Sequence, residues 1–163
     1  MKTLLIVFDS VTGGTRQVAE AAALGAAGEP GVERRLLHAD EAGAEDVLAA
    51  DGYLFATPEM LAALSGRMKH FFDRTYYAAL DRIQGRPYAV LVCAGSDGRN
   101  ALRQVERIAA GWRLKAVAEP IIVCTHAQTS EAIAAPKTIP PDALRQCEDL
   151  GAALAAGMAM GIF

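Results

Sequence analysis

The chain has little surplus charge: 16 basic against 19 acidic residues leave a net charge of −3. So mild a balance argues against nucleic acid or an anionic membrane surface as partner, and it falls short of the acidity of a shuttle steered by charge. Cysteine is scarce, and Cys93, Cys124 and Cys147 are odd in number and widely spaced. That excludes a disulfide framework and a zinc site, and it fits a reducing, cytoplasmic setting. No apolar stretch approaches membrane-spanning length without a charge or glycine break, and no signal-like segment precedes the first strand-like run. Internal repeats, low-complexity tracts and linkers are also missing. The 163 residues, 52% apolar and 21% charged, therefore read as one domain, residues 1–163, with a full core.

Strand-like and helix-like segments alternate along the chain, the pattern of a parallel sheet covered by helices on both faces. Leu4–Phe8 is a short continuous apolar run, as expected of a strand buried on both sides. A helix begins near Gly14 or Thr15, and Gly31 punctuates its end before a strand over Val32–Leu37. A helical crossover over Ala44–Ala50 leads to a strand over Gly52–Ala56 that ends at Thr57-Pro58. Ser65 is placed to cap a helix reaching Asp73, with Lys69 and Asp73 as an i,i+4 pair. Tyr88–Cys93 forms the fourth strand, Asn100–Ala110 a helix and Ile121–Cys124 the fifth strand. Pro140-Pro141-Asp142 starts a last helix reaching about Met158. In either common doubly wound order, ligands sit beyond the carboxyl ends of the strands where the winding reverses. The loops that matter are Ser10–Thr15, Thr57–Leu64, Ala94–Arg99 and Thr125–Ile139.

The first of these is the most informative. Ser10, Thr12 and Thr15 offer hydroxyls, while Gly13 and Gly14 permit close backbone approach at a helix N-terminus, a combination suited to a phosphate. There is no G-x-x-x-x-G-K-[ST] and no G-x-G-x-x-G, so a nucleoside triphosphate or a Rossmann-bound dinucleotide is a poor match. An ordinary capped βα turn explains the same residues, and the loop alone does not choose between the two readings.

Two stretches together decide the matter: D-S-V-T-G-G-T-R from Asp9, and A-D-G-Y-L-F-A-T-P-E-M-L-A-A-L-S-G-R-M-K-H-F-F-D-R over Ala50–Arg74. They resemble the flavodoxin-fold flavoproteins, and within them the NAD(P)H-dependent FMN and quinone reductases. The resemblance implies a flavodoxin-like α/β sandwich whose five-stranded parallel sheet has the order 2-1-3-4-5. It implies that Ser10, Val11, Thr12, Gly13, Gly14 and Thr15 hold the 5′-phosphate of FMN. Thr57, Pro58, Glu59, Met60 and Leu61 would line the isoalloxazine, and Gly95, Ser96, Asp97 and Gly98 its pyrimidine and ribityl side. The implied activity is that of an oxidoreductase in which hydride passes from NAD(P)H through FMN to a small acceptor, a quinone or a flavin. No side chain is needed as acid or base, and no metal is implied.

The alternative within the same fold is an electron-carrying flavodoxin. Such carriers commonly sandwich the flavin between aromatic rings, and neither Thr57–Leu64 nor Ala94–Arg99 contains one. They also turn a peptide beside a glycine in the second loop, which is absent from Thr57–Ser65, where a positive φ would cost about 1–3 kcal/mol. The reductase is therefore the favoured expectation. The quinone reductases often place a histidine in the third loop; here it reads A-G-S-D-G-R-N, and His126 is the candidate substitute. Cys93 and Arg99 have the C-x5-R spacing of a cysteine-dependent phosphatase, although Cys93 continues an apolar strand. Arg16 could reach the phosphate or point outward. Tyr76-Tyr77 could close over the pocket or simply pack. The apolar tail Leu154–Phe163 either docks on the body or makes a homodimer contact, the latter slightly favoured.

Overall fold

The alternation of side chains along the first strand places Leu4, Ile6 and Phe8 on one face of the sheet and Leu5 and Val7 on the other, and all five are buried. A strand with no solvent face needs cover on both sides. The computed structural model, which describes residues 1–163, supplies it. In chain order the elements are β1 (Lys2–Phe8), α1 (Gly14–Ala26), β2 (Val32–His38), α2 (Ala44–Ala49), β3 (Gly52–Met60), β4 (Ala63–Leu64), α3 (Gly66–Ala79), β5 (Pro87–Ala94), α4 (Arg99–Gly111), β6 (Lys115–Ala116), β7 (Ile121–Cys124), α5 (Ser130–Ala134) and α6 (Pro141–Met160). The parallel core runs β2-β1-β3-β5, and β6 and β7 share the edge position beside β5.

The fold is the flavodoxin-like α/β sandwich expected. The strand count differs from five because the edge strand is broken: β6 pairs with Pro87 and Tyr88, β7 with Leu91 to Ala94. Pro120, which lacks a donor N–H, lies in the gap. A further two-residue strand, β4, folds back antiparallel on the end of β3. Ser65 caps α3 as expected, accepting the Met68 N–H at 3.3 Å.

One core, built on Leu54, Leu91 and Val123, lies under α1 and α6; the other, built on Phe55, Val90 and Val92, lies under α2, α3 and α4. Trp112 joins the second, edge-on to Phe71 and Phe72. Tyr76 and Tyr77 pack on each other, with ring centroids 5.1 Å apart. Tyr76 lines a small separate hollow beside Trp112, so the packing reading holds. At the C-terminus, Phe163 turns back over Gly157, where a Cβ would meet its ring at 2.2 Å. The tail thus docks on the body, with Met160 and Ile162 left outward.

Helices α1 and α6 pack backbone against backbone. A Cβ on Gly25 would lie 1.9 Å from the Glu148 carbonyl oxygen, and one on Gly151 1.9 Å from that of Ala22. Helix propensity alone would make Gly151→Ala stabilising by about 1 kcal/mol. The backbone contact reverses the sign: the substitution forces the helices apart at a cost of about 1–3 kcal/mol. Urea denaturation of the variant is expected to show a lower midpoint with an unchanged slope; a raised midpoint would refute the close crossing.

Candidate functional site

The carboxyl ends of β1, β3, β5 and β7 open onto a cleft of about 440 Å³, within the range of small-molecule sites. Of the residues expected to hold a ligand, Ser10, Val11, Thr12, Gly14, Thr15, Pro58, Glu59, Met60 and Gly95 line it. Gly13, Thr57, Leu61, Ser96, Asp97 and Gly98 do not. Cys93, Ala94, Thr125, Ala127, Ile133, Ala134 and Lys137 complete the wall, which contains no aromatic ring.

In the first loop, none of the backbone N–H groups from Ser10 to Thr15 donates to an acceptor within the protein. Six consecutive donors at a helix N-terminus are an anion site in waiting. Gly13 sits just before α1 at φ 94, a conformation that excludes a side chain at little strain, and it shapes the loop without touching the cleft. Ser10 Oγ accepts the Arg16 N–H at 3.2 Å. The Arg16 guanidinium lies over the Phe8 ring at 4.9 Å and 3.8 Å from Glu20, so it points outward.

The second loop departs from expectation. Thr57 is fully buried beneath the cleft, where its hydroxyl accepts the Ser65 N–H at 3.1 Å and fastens β3 to the cap of α3. Beyond it the chain forms a tight hairpin, with Leu61 at φ 49 and Ala62 at φ 63. The expectation that a glycine-free loop would avoid positive φ is therefore wrong. The strain is held by pairing of Glu59 with Leu64 and by two amides of α4: Asn100 Nδ2 donates to the Ala62 carbonyl at 2.6 Å, and Gln104 Oε1 accepts the Leu64 N–H at 2.9 Å. Leu61, at the tip, is fully exposed.

Glu59 ties this hairpin to the third loop by accepting the Gly98 N–H at 2.6 Å. Gly98 is the N-cap of α4 at φ 81, and a Cβ there would come within 2.8 Å of Ile122. Asp97 is drawn away from the cleft by Arg99, whose Nε lies 2.6 Å from its Oδ1 and holds the carboxyl below its usual range. The phosphatase reading fails on the same geometry. Its arginine fork is spent on Asp97, and burial pushes the Cys93 thiol from 9.0 up to about 12, so no thiolate is available. His126 is exposed, off the cleft wall, and adopts φ 58.

The fourth segment was the least legible. After β7 the chain forms α5 and returns over the first loop, anchored by Gln17. The Gln17 amide donates to the carbonyls of Gly13 at 3.0 Å and Lys137 at 2.8 Å, and accepts the Ile139 N–H at 3.0 Å. The Lys137 N–H donates to the Thr12 carbonyl at 2.8 Å. Lys137 is thereby the one basic residue on the cleft wall, its ammonium donating to the carbonyls of Ile133 and Ala135.

A mononucleotide-sized cleft at the switch point of a doubly wound sheet, with a neutral anion cradle at one end, defines a flavodoxin-type protein. The comparisons agree. The chain belongs to the NADPH-dependent FMN reductase family, whose model matches residues 38–129. It is thus an FMN-binding flavoprotein. A flavodoxin of Aquifex aeolicus (strain VF5) is 40% identical over 97 residues, which is 60% of this chain and 50% of that protein. The chain therefore matches half the length of that relative. Among solved structures, a flavodoxin from the domain Archaea superposes with a TM-score of 0.78 at 18% identity, covering 94% of this chain and 96% of that one. A WrbA-like flavodoxin from Agrobacterium tumefaciens does so with a TM-score of 0.70 at 20% identity, covering 99% of both chains. At these identities the superpositions speak to the fold alone.

The residues present fit the cofactor: an unpartnered row of N–H donors matches a phosphate, and an apolar wall of Pro58, Met60, Ala94 and Ala127 suits a flat ring. Burial also raises Cys147, from 9.0 to about 11, whereas Cys124 is partly exposed. A thiol reagent at pH 8 is expected to label Cys124 in the folded protein and all three cysteines only after denaturation. Because the raised values belong to the folded state, the stability carried by the protonated buried thiols is full below pH 9.0 and is lost as pH rises toward about 11 and 12. Rapid labelling of Cys93 in the native protein would contradict this placement.

Proposed function

We propose that the chain is a single-domain, cytoplasmic NAD(P)H-dependent oxidoreductase that passes hydride through FMN to a small acceptor such as a quinone or free flavin. Ser10 to Thr15 hold the phosphate; Pro58, Glu59, Met60 and Gly95 bound the ring. The observation that carries the reading is the aromatic-free cleft wall, which leaves a ring face open to stacking by nicotinamide and then by the acceptor. When bound, FMN supplies the redox chemistry, and the protein binds, orients and shields it. The titratable side chains of the wall are engaged elsewhere: Glu59 is committed to Gly98, burial keeps Cys93 a thiol, and Lys137 donates to the carbonyls of Ile133 and Ala135. The family description supports this reading.

A second reading, an electron carrier, is favoured by the left-handed turn at Leu61 and Ala62, which supplies the backbone conformation that such carriers use in the second loop. The similarity to a protein named flavodoxin points the same way. The two readings separate in solution. Protein incubated with excess FMN and desalted is expected to keep flavin absorbance and to oxidise NADPH or NADH with a quinone or FMN as acceptor. Double-reciprocal plots should be parallel, and reductive titration should run from oxidised to fully reduced through one set of isosbestic points. Negligible nicotinamide oxidation with a third spectral species would select the carrier.

A further inference from the structure

The cradle of the first loop is neutral, yet the ligand group it suits is a dianion. Helix-dipole and N–H donors stabilise such a group, and one nearby cation adds a charge-assisted hydrogen bond. Arg16 is turned away on Phe8 and Glu20. Lys137 is the cation on the cleft wall, held there from three directions. Its N–H is bonded to the Thr12 carbonyl, its carbonyl accepts from Gln17, and its Cβ would lie 3.5 Å from a Cβ on Gly14. Its Nζ donates to the carbonyls of Ile133 at 2.9 Å and Ala135 at 2.6 Å. An ammonium has three hydrogens, so one is left over.

We propose that Lys137 is the counter-charge for the flavin phosphate, and that the segment Thr129–Lys137 is a strap that makes the cleft select phosphorylated flavin over riboflavin. Lys137 serves the strap twice. Its ammonium closes the carbonyl end of α5 with one hydrogen to spare, and its backbone N–H, bonded to the Thr12 carbonyl, holds the residue beside the loop whose N–H groups are unpartnered. Gln17 makes strap and cradle one unit, since its amide touches Gly13 on one side and Lys137 and Ile139 on the other. Gln17, Lys137 and Ile139 lie outside the segment matched by the family model, which spans 38–129.

This inference rests on the FMN reading above, and the test separates the two. Dissociation constants for FMN and riboflavin are measured by flavin fluorescence across a salt series, for the wild type, Lys137→Met and Lys137→Arg, with circular dichroism melts confirming equal folding. The wild type is expected to prefer FMN. Lys137→Met should weaken FMN about tenfold, leave riboflavin within twofold and flatten the salt dependence of FMN binding, because a partly exposed charge pair is screened by salt. Lys137→Arg should restore most of the loss. Equal losses for both flavins, or an unchanged FMN affinity in Lys137→Met, would overturn the counter-charge while leaving FMN binding intact. A wild type that binds neither flavin would overturn the FMN reading itself, and the strap with it.

Discussion

The close packing of α1 on α6 fixes the functional end of this molecule, because it sets the helix whose N-terminus continues a row of six backbone N–H groups with no acceptor of their own. Glycines at Gly25 and Gly151 let the two backbones approach to distances that no Cβ would permit. The buried alanines Ala19, Ala22, Ala23 and Ala26 keep the rest of that face of α1 thin. The helix is thereby fixed along its length, and its N-terminus points from the end of β1 into the cleft. An unsatisfied row of donors is costly when buried and useful when a ligand completes it. That is the sense in which the scaffold prepares an anion site without placing a charge in the loop.

The two sides of the cleft are stiffened differently. On the β3 side, side-chain amides of α4 grip a strained hairpin, and the Glu59 carboxylate links that hairpin to the turn before α4. On the other side, a long connection with a single short helix is drawn over the first loop by one glutamine. The first arrangement is a rigid wall whose strain is offset by several fixed contacts. The second is a local closure with an exposed outer surface, of the kind that opens at low free-energy cost.

The site chemistry is notable for what each polar group is already doing. Thr57 and Ser65 are structural, Asp97 answers Arg99, and His38 answers the buried carboxylate of Asp9 at 3.1 Å. With these groups committed to the fold, a bound FMN would supply the redox chemistry.

The continuous apolar run Leu4–Phe8, the alternation of strands and helices, the Ser65 cap and the hydroxyl-and-glycine turn were all readable by eye. Each is set by neighbours a few residues apart. The break in the edge strand at Pro120 and the hairpin at Leu61 and Ala62 were not. The hairpin defies local preference, and only Asn100 and Gln104, far along the chain, hold it. Lys137 was invisible for the same reason. It lies 120 residues from Gln17, and nothing in the residues around it announces that it lines the cleft. Local periodicity and turn chemistry determined the class of fold and marked one candidate phosphate loop, because those depend on backbone geometry within a turn or a strand. Tertiary packing decided which of the candidate residues line the cleft and which segment lies over it, because those are set by long-range contacts that no local pattern encodes.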